Sequence, residues 1–196
     1  MAEILRFPAQ ESEAIYREKG SRFLAFVFKV QTEEEVKDIV KRLREEHPQA
    51  VHVCTGWHLH AHGDQGKCSD DGEPAGSAGR PILNKIYSHD VKDVLVAVVR
   101  YFGGVKLGVP GLINAYKTVA DEALTMAGVE EREPQCAAKF IFDYNFEGEM
   151  TSLIKKLKGE IQKKSYTHNV EWIVAFPLSE KDNIHAPYGV SQEFLD

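Results

Sequence analysis

The chain has 196 residues, 43% of them hydrophobic and 28% charged, with a formal net charge of −6. That length can bury the core of one large domain or two small ones, and that balance excludes an intrinsically disordered chain. The acidic sum argues against a protein that coats nucleic acid by bulk electrostatics.

No apolar run reaches the ~20 residues of a membrane helix, and the N-terminus shows neither a basic nor an apolar leader segment. Three cysteines (Cys54, Cys68 and Cys136) cannot all pair among themselves. These features point to a cytoplasmic protein without a membrane partner.

Alternation from Glu13 to Val30 predicts a hairpin of strands 12–19 and 22–30, turning at Gly20-Ser21. Thr32 and Glu35 form a capping box for a helix that keeps its apolar spacing to about Glu46, and Pro48 closes it. A strand follows from Ala50. Residues 63–79 read as loop, with an Asp-Asp-Gly turn at the centre. Pro81 opens a short helix to about Ser88.

Residues 94–102 are apolar on both parities, the mark of a central strand covered on both faces. After a loop at 103–108, Pro110 or Gly111 opens a helix to about Ala127, which Gly128 caps. A composition shift at 130–134 marks a linker between domains 1–130 and 136–196. Beyond it a strand from Lys139 to Phe146, a helix at 147–157 and two further strands make a βαββ unit, followed by a polar tail from Ser179.

The stretch from Ser69 to Lys117 concentrates glycine and proline on both sides of the central strand, so shaped loops are carried by a buried strand. From Gly66 to Lys117 the chain also holds seven Lys/Arg against five Asp/Glu, a local excess of positive charge in an acidic chain. Gly103, Gly104 and Gly108 lead into a helix N-terminus, where unpaired amides and the helix dipole favour an anion. Lys106 lies inside that loop, and Arg100 and Tyr101 end the strand. The spacing imitates a nucleotide-binding loop, but Val109-Pro110 stands where Lys and Ser/Thr would be needed, which excludes an ATPase of that type. The plainer reading is that the glycines serve a tight strand-to-helix turn.

Three other patterns have a functional and a plain reading. Asp70, Asp71, Gly72 and Glu73 could hold a hard cation or supply a base, or could cap local amides as acidic turns do. His52, Cys54, His58, His60, His62 and Cys68 include zinc-ligand types, but lack the paired spacing of structural sites. Phe140, Phe142, Tyr144 and Phe146 alternate, either as a base-stacking stripe near Lys155, Lys156, Lys158, Lys163 and Lys164 or as the buried face of a strand.

The runs SDDGEPAGSAGRPIL and VLVAVVRYFGGVKLG closely resemble the signature of the YigZ/IMPACT family, its bacterial YigZ branch in particular. The resemblance is dense from about Gly20 to Leu124. It implies an α+β chain, with an N-terminal domain like the second domain of a small-subunit ribosomal protein and a ferredoxin-like C-terminal domain. The short tail suggests that the second of these is truncated. It further implies a translation-linked role in contact with RNA or the ribosome, no established catalysis and no cofactor. Eukaryotic members act instead through protein partners in a translational stress response. Two positions depart from the family pattern: Pro110 replaces a glycine, and Asn114 replaces an arginine, a charge-assisted contact worth ~1.5–3 kcal/mol where buried.

The resulting expectation is a non-enzymatic regulator binding RNA or the ribosome through Arg80, Arg100, Tyr101, Gly103, Gly104, Lys106, Gly108, Gly111 and Asn114, supported by the turn at 70–73, with no metal. A protein-interaction module and a metal-dependent phosphate-ester enzyme are the alternatives.

Overall fold

A computed structural model describes residues 4–60, 63 and 66–195. The chain is mixed α and β and divides into two compact units, one of Arg6–Glu131 and a smaller one that joins the chain from Arg132 onward to the N-terminal residues Ile4 and Leu5.

The larger unit is built on five antiparallel strands: β2 (Ser12–Glu18), β3 (Ser21–Lys29), β4 (His52–His58), β5 (Lys67–Ser69) and β6 (Val94–Tyr101), in the order β2-β3-β6-β4-β5. Strand β6 lies at the centre and alternates between two cores. Val94, Val96 and Val98 face helices α2 (Gly79–His89) and α3 (Gly108–Ala127), whereas Leu95, Ala97 and Val99 face α1 (Glu33–Glu46). This is why the strand reads apolar on both parities, each large aliphatic contributing ~1.5–3 kcal/mol on burial. β1 (Leu5–Pro8) pairs with β7 (Val129–Arg132), so part of the expected linker is strand.

Local chemistry fixes the boundaries. The hairpin turns at Lys19-Gly20, one residue earlier than expected, and both residues have positive φ (46° and 81°), as a two-residue I′ turn requires. Thr32 Oγ1 accepts the Glu35 amide at 3.2 Å, and Glu35 Oε2 reaches back to accept the Gln31 amide at 2.8 Å, a capping box displaced by one residue. Helix α2 starts at Gly79 and α3 at Gly108, each two residues before the expected proline, so Pro81 and Pro110 sit within first turns. The expected loop 63–79 contains β5.

The smaller unit runs β8 (Gln135–Phe142), α4 (Glu147–Lys156), β9 (Glu160–Tyr166), β10 (Val170–Pro177) and β11 (Ser191–Leu195), its antiparallel sheet ordered β11-β8-β10-β9. The polar tail thus ends in a paired strand, after a 3₁₀ segment at Leu178–Asn183. The aromatic stripe breaks where β8 stops. Phe140 and Phe142 are buried with Trp172 and Phe176, whereas Tyr144 lies in a 3₁₀ turn and is half exposed. Of the lysines near it, Lys164 stacks over Trp172 at 4.3 Å.

Candidate functional site

A cleft of about 430 Å³ opens where β6 hands over to α3. Its floor is charged and its rim apolar. Glu73 and Arg100 lie at the bottom, Val51, Phe102, Leu107, Val109 and Leu112 around the sides, and Lys106 at the mouth.

The four-residue acidic run is divided among separate tasks. Asp70 caps α2 from outside the helix: Ala78 at the N-cap has no polar side chain, and the Asp70 carboxylate accepts the amides of Gly76, Ala78 and Gly79 at 2.8, 3.0 and 2.8 Å. Burial pushes this carboxyl up, but the three amides and Arg80 outweigh it and hold it below its ordinary value. Asp71, at φ 46°, accepts the Val53 amide at 2.6 Å and pairs with Arg44. Gly72 completes the turn at φ 87°.

Glu73 is turned inward. Its Oε1 accepts from Arg100 Nη1 at 2.5 Å and from the Tyr116 hydroxyl at 2.8 Å, and its Oε2 lies 3.9 Å from His52 Nε2. His52 Nδ1 faces the Asp71 carbonyl oxygen at 2.7 Å, and since a carbonyl only accepts, that nitrogen carries a proton. The Cys54 thiol lies 3.1 Å from the Asp70 carbonyl and 3.3 Å from the Tyr116 hydroxyl, and burial pushes it up to about 12. Burial likewise raises the Tyr116 phenol, leaving it a hydrogen-bond donor rather than an anion.

This placement corrects several sequence expectations. Arg100 is 5% exposed and its guanidinium is engaged by Glu73, between Phe23 and Phe102. It does not stand free at the strand end, because a buried cation requires a buried partner. Its buried Nε has no hydrogen-bond partner among the described residues. Tyr101 points to the other face of the sheet, where its hydroxyl meets His47 Nδ1 at 2.8 Å and Arg22 covers its ring.

Gly103 is not an anion cradle. Its amide donates to Ser21 Oγ at 3.1 Å, and a Cβ there would fall 1.9 Å from the Gly20 carbonyl carbon, so the residue exists to let the loop meet the hairpin turn. Asn114 is exposed on α3 and interacts with Tyr16.

The remaining expected residues do gather at the helix start. Gly104 and Gly108 take positive φ (86° and 70°), Gly111 packs against Leu107, and Lys106 is exposed. Leu107 provides no side-chain cap for α3. The amides of Gly108 and Val109 therefore have no partner within the helix, while Pro110 has no N–H to offer. Arg80 lies across the Pro74–Gly76 turn, exposed in the first turn of α2.

Of the zinc-type residues, His58 bonds to the Gly63 carbonyl at 3.0 Å and Cys68 is exposed, while His62 lies outside the described residues. Among the described residues no group of three His, Cys, Asp or Glu could hold a metal ion. No described helix is long and apolar enough to cross a membrane. Phe102 emerges as a cleft residue that sequence reasoning left out, and His52, read there only as a zinc-ligand type, lines the same cleft. Only the fourfold spacing of Arg80, Asn84 and Ser88 on α2 could have flagged a further surface.

A two-unit α/β chain with a half-buried cationic cleft at a strand-to-helix junction is thereby defined, and comparison with known proteins assigns it. Residues 19–124 match the Impact N-terminal domain. The chain belongs to the IMPACT family. It is 32% identical to IMPACT family member YigZ of Escherichia coli over 88% of this chain and 86% of that one. It is 34% identical to IMPACT family member YvyE of Bacillus subtilis over 78% and 70%. A crystal structure of a hypothetical protein superposes with a TM-score of 0.74 at 30% identity, covering 100% of this chain and 98% of the other.

Proposed function

We propose that this chain is a non-catalytic, translation-linked regulator that docks on RNA or the ribosome through the junction of β6 and α3. The observation that carries the reading is the chemistry of the cleft. Exposed Lys106 and two amides of α3 without a helical partner meet above a buried Arg100–Glu73 pair. Such a surface accepts a phosphate oxygen at its mouth, and its apolar rim accommodates the adjoining part of a polymer. Arg100 and Tyr116 act as positioning residues that keep Glu73 from cancelling Lys106.

Family resemblance adds the translational context. The β11-β8-β10-β9 order supports reading the smaller unit as ferredoxin-like, its second helix reduced to the 3₁₀ segment at Leu178–Asn183. We carry the ribosomal-protein likeness of the larger unit within the same proposal.

A protein partner is the second reading, favoured by exposed Phe102, Val105, Val109 and Ile113 around Lys106. Affinity capture from native lysate, with and without nuclease, separates the two. Capture of RNA or ribosomal particles that nuclease abolishes and Lys106→Glu weakens is expected, whereas the same protein bound after nuclease as before it favours the second reading.

A further inference from the structure

Among the described residues a second cleft flanks the N-terminal half of α3, beside the one that the function proposed above occupies. The second, about 460 Å³, is walled by Arg80, Asn84, Lys85 and Ser88 of α2 and by Ile113 and Lys117 of α3. Arg80, Asn84 and Ser88 recur every four residues and share one helix face. At ~1.5 Å rise per residue they span ~12 Å, the length of roughly three phosphates of a stacked strand.

Among the described residues no carboxylate lines this cleft. Asp121, one turn beyond Lys117 on α3, is held by Lys85 at 3.0 Å and His89 at 2.8 Å, and the Asp70 carboxylate near Arg80 accepts three amides. Arg80 and Lys117 are exposed and make no ion pair within 4.0 Å among the described residues, so Arg80, Lys85 and Lys117 outnumber the neighbouring carboxylates Asp70 and Asp121 and leave a local excess of positive charge on a concave surface of an acidic chain.

The two clefts adjoin. Pro74 and Leu112 line the first, while Gly76 and Ile113 line the second, so they share the turn at 74–76 and the first turns of α3 as a common wall. At the far side of the first cleft the Phe102 ring is 48% exposed.

We infer that the two clefts form one track for single-stranded RNA, in which Phe102 stacks on a base, Lys106 takes a backbone phosphate, and Arg80 and Lys117, with Lys85 behind them, take the phosphates that follow. This deepens the RNA reading above and rests on it. A single strand fits because an exposed ring needs an unstacked base, which a duplex keeps covered. Phosphates and a π-face are common to all nucleotides, so the track is indifferent to sequence.

The test is fluorescence anisotropy of the full chain with a labelled twelve-nucleotide oligouridylate, read at several salt concentrations, with thermal melts confirming that each variant is folded. The double variant Arg80→Glu/Lys117→Glu is expected to weaken binding at least tenfold. It should also flatten the plot of log affinity against log salt by roughly 1.4, two contacts at ~0.7 each. Arg80→Gln/Lys117→Gln gives the same reading should the reversal fail to fold.

Phe102→Ala should weaken binding about tenfold, and a duplex of equal length should bind less tightly than the single strand. Lys37→Glu/Lys41→Glu, exposed on α1 at the opposite face of the sheet, should change affinity less than twofold.

If wild type binds and Lys106→Glu weakens it while the Arg80/Lys117 variants bind as wild type does, the track falls and the docking at Lys106 stands. An equal loss in the α1 control makes the effect one of bulk charge and also overturns the track. If wild type binds no RNA, the track and the RNA reading fall together.

Discussion

Removing the Arg100 head group strips the buried Glu73 of its cation, and one uncompensated buried charge costs about 3–5 kcal/mol. Arg100→Ala is therefore expected to lower the unfolding free energy by about that amount in urea titration, whereas exposed Lys106→Ala should leave stability within about 0.5 kcal/mol and lower affinity instead.

Asp70 carries a pH prediction. Its folded pKa is depressed, so the cap contributes stability above the ordinary value of 3.8 and loses it as pH falls through the lower, folded value. Asp70→Asn should be less stable than wild type at neutral pH, and the gap should close below about pH 4, as read by melts across pH. Cys54 and Cys68 provide a further check. With its thiol pushed up to about 12 by burial, Cys54 should resist alkylation in the folded chain while exposed Cys68 is labelled, as mass spectrometry would show.

At the scale of elements, the meeting of loop 103–108 with the β2–β3 turn is a backbone-to-backbone contact that only glycine permits. Gly103→Ala would set a methyl against Gly20, where neither backbone can yield. A cost of about 1–3 kcal/mol or more is expected in thermal melts, against little for Gly104→Ala beyond its positive φ, since among the described residues no atom other than those of its chain neighbours lies within 4 Å of a Cβ there.

The periodic elements were legible in the sequence because their physics is local. The capping box at Thr32, the doubly apolar strand β6 and the Gly128 cap each announce themselves within four or five residues. Short strands β1, β5, β7 and β11 were not legible, because each owes its existence to a distant pairing partner. The same limit governs the site. Lys106 and the glycines of the junction follow from local pattern, whereas the Arg100–Glu73 pair links residues 27 apart and the Gly103–Ser21 bond residues 82 apart. Periodicity tells that a residue is buried, not which partner it meets there.

For the molecule as a whole, net acidity and a local cationic track make opposite demands, and salt decides between them. Bulk repulsion of an anionic polymer is screened by salt, but so is attraction at Lys106, Arg80 and Lys117, and only the second releases counterions. Binding that weakens steeply as salt rises therefore identifies the track as the attractive element in a chain of charge −6.

The most direct measurement is co-sedimentation of the full chain with ribosomal particles on a sucrose gradient, at low and at high salt, beside Lys106→Glu. We expect wild type to travel with the particles at low salt, to be released at high salt, and to be lost from them in the variant. Wild type remaining at the top of the gradient at low salt, or the variant travelling with the particles as wild type does, would contradict docking through the β6–α3 junction.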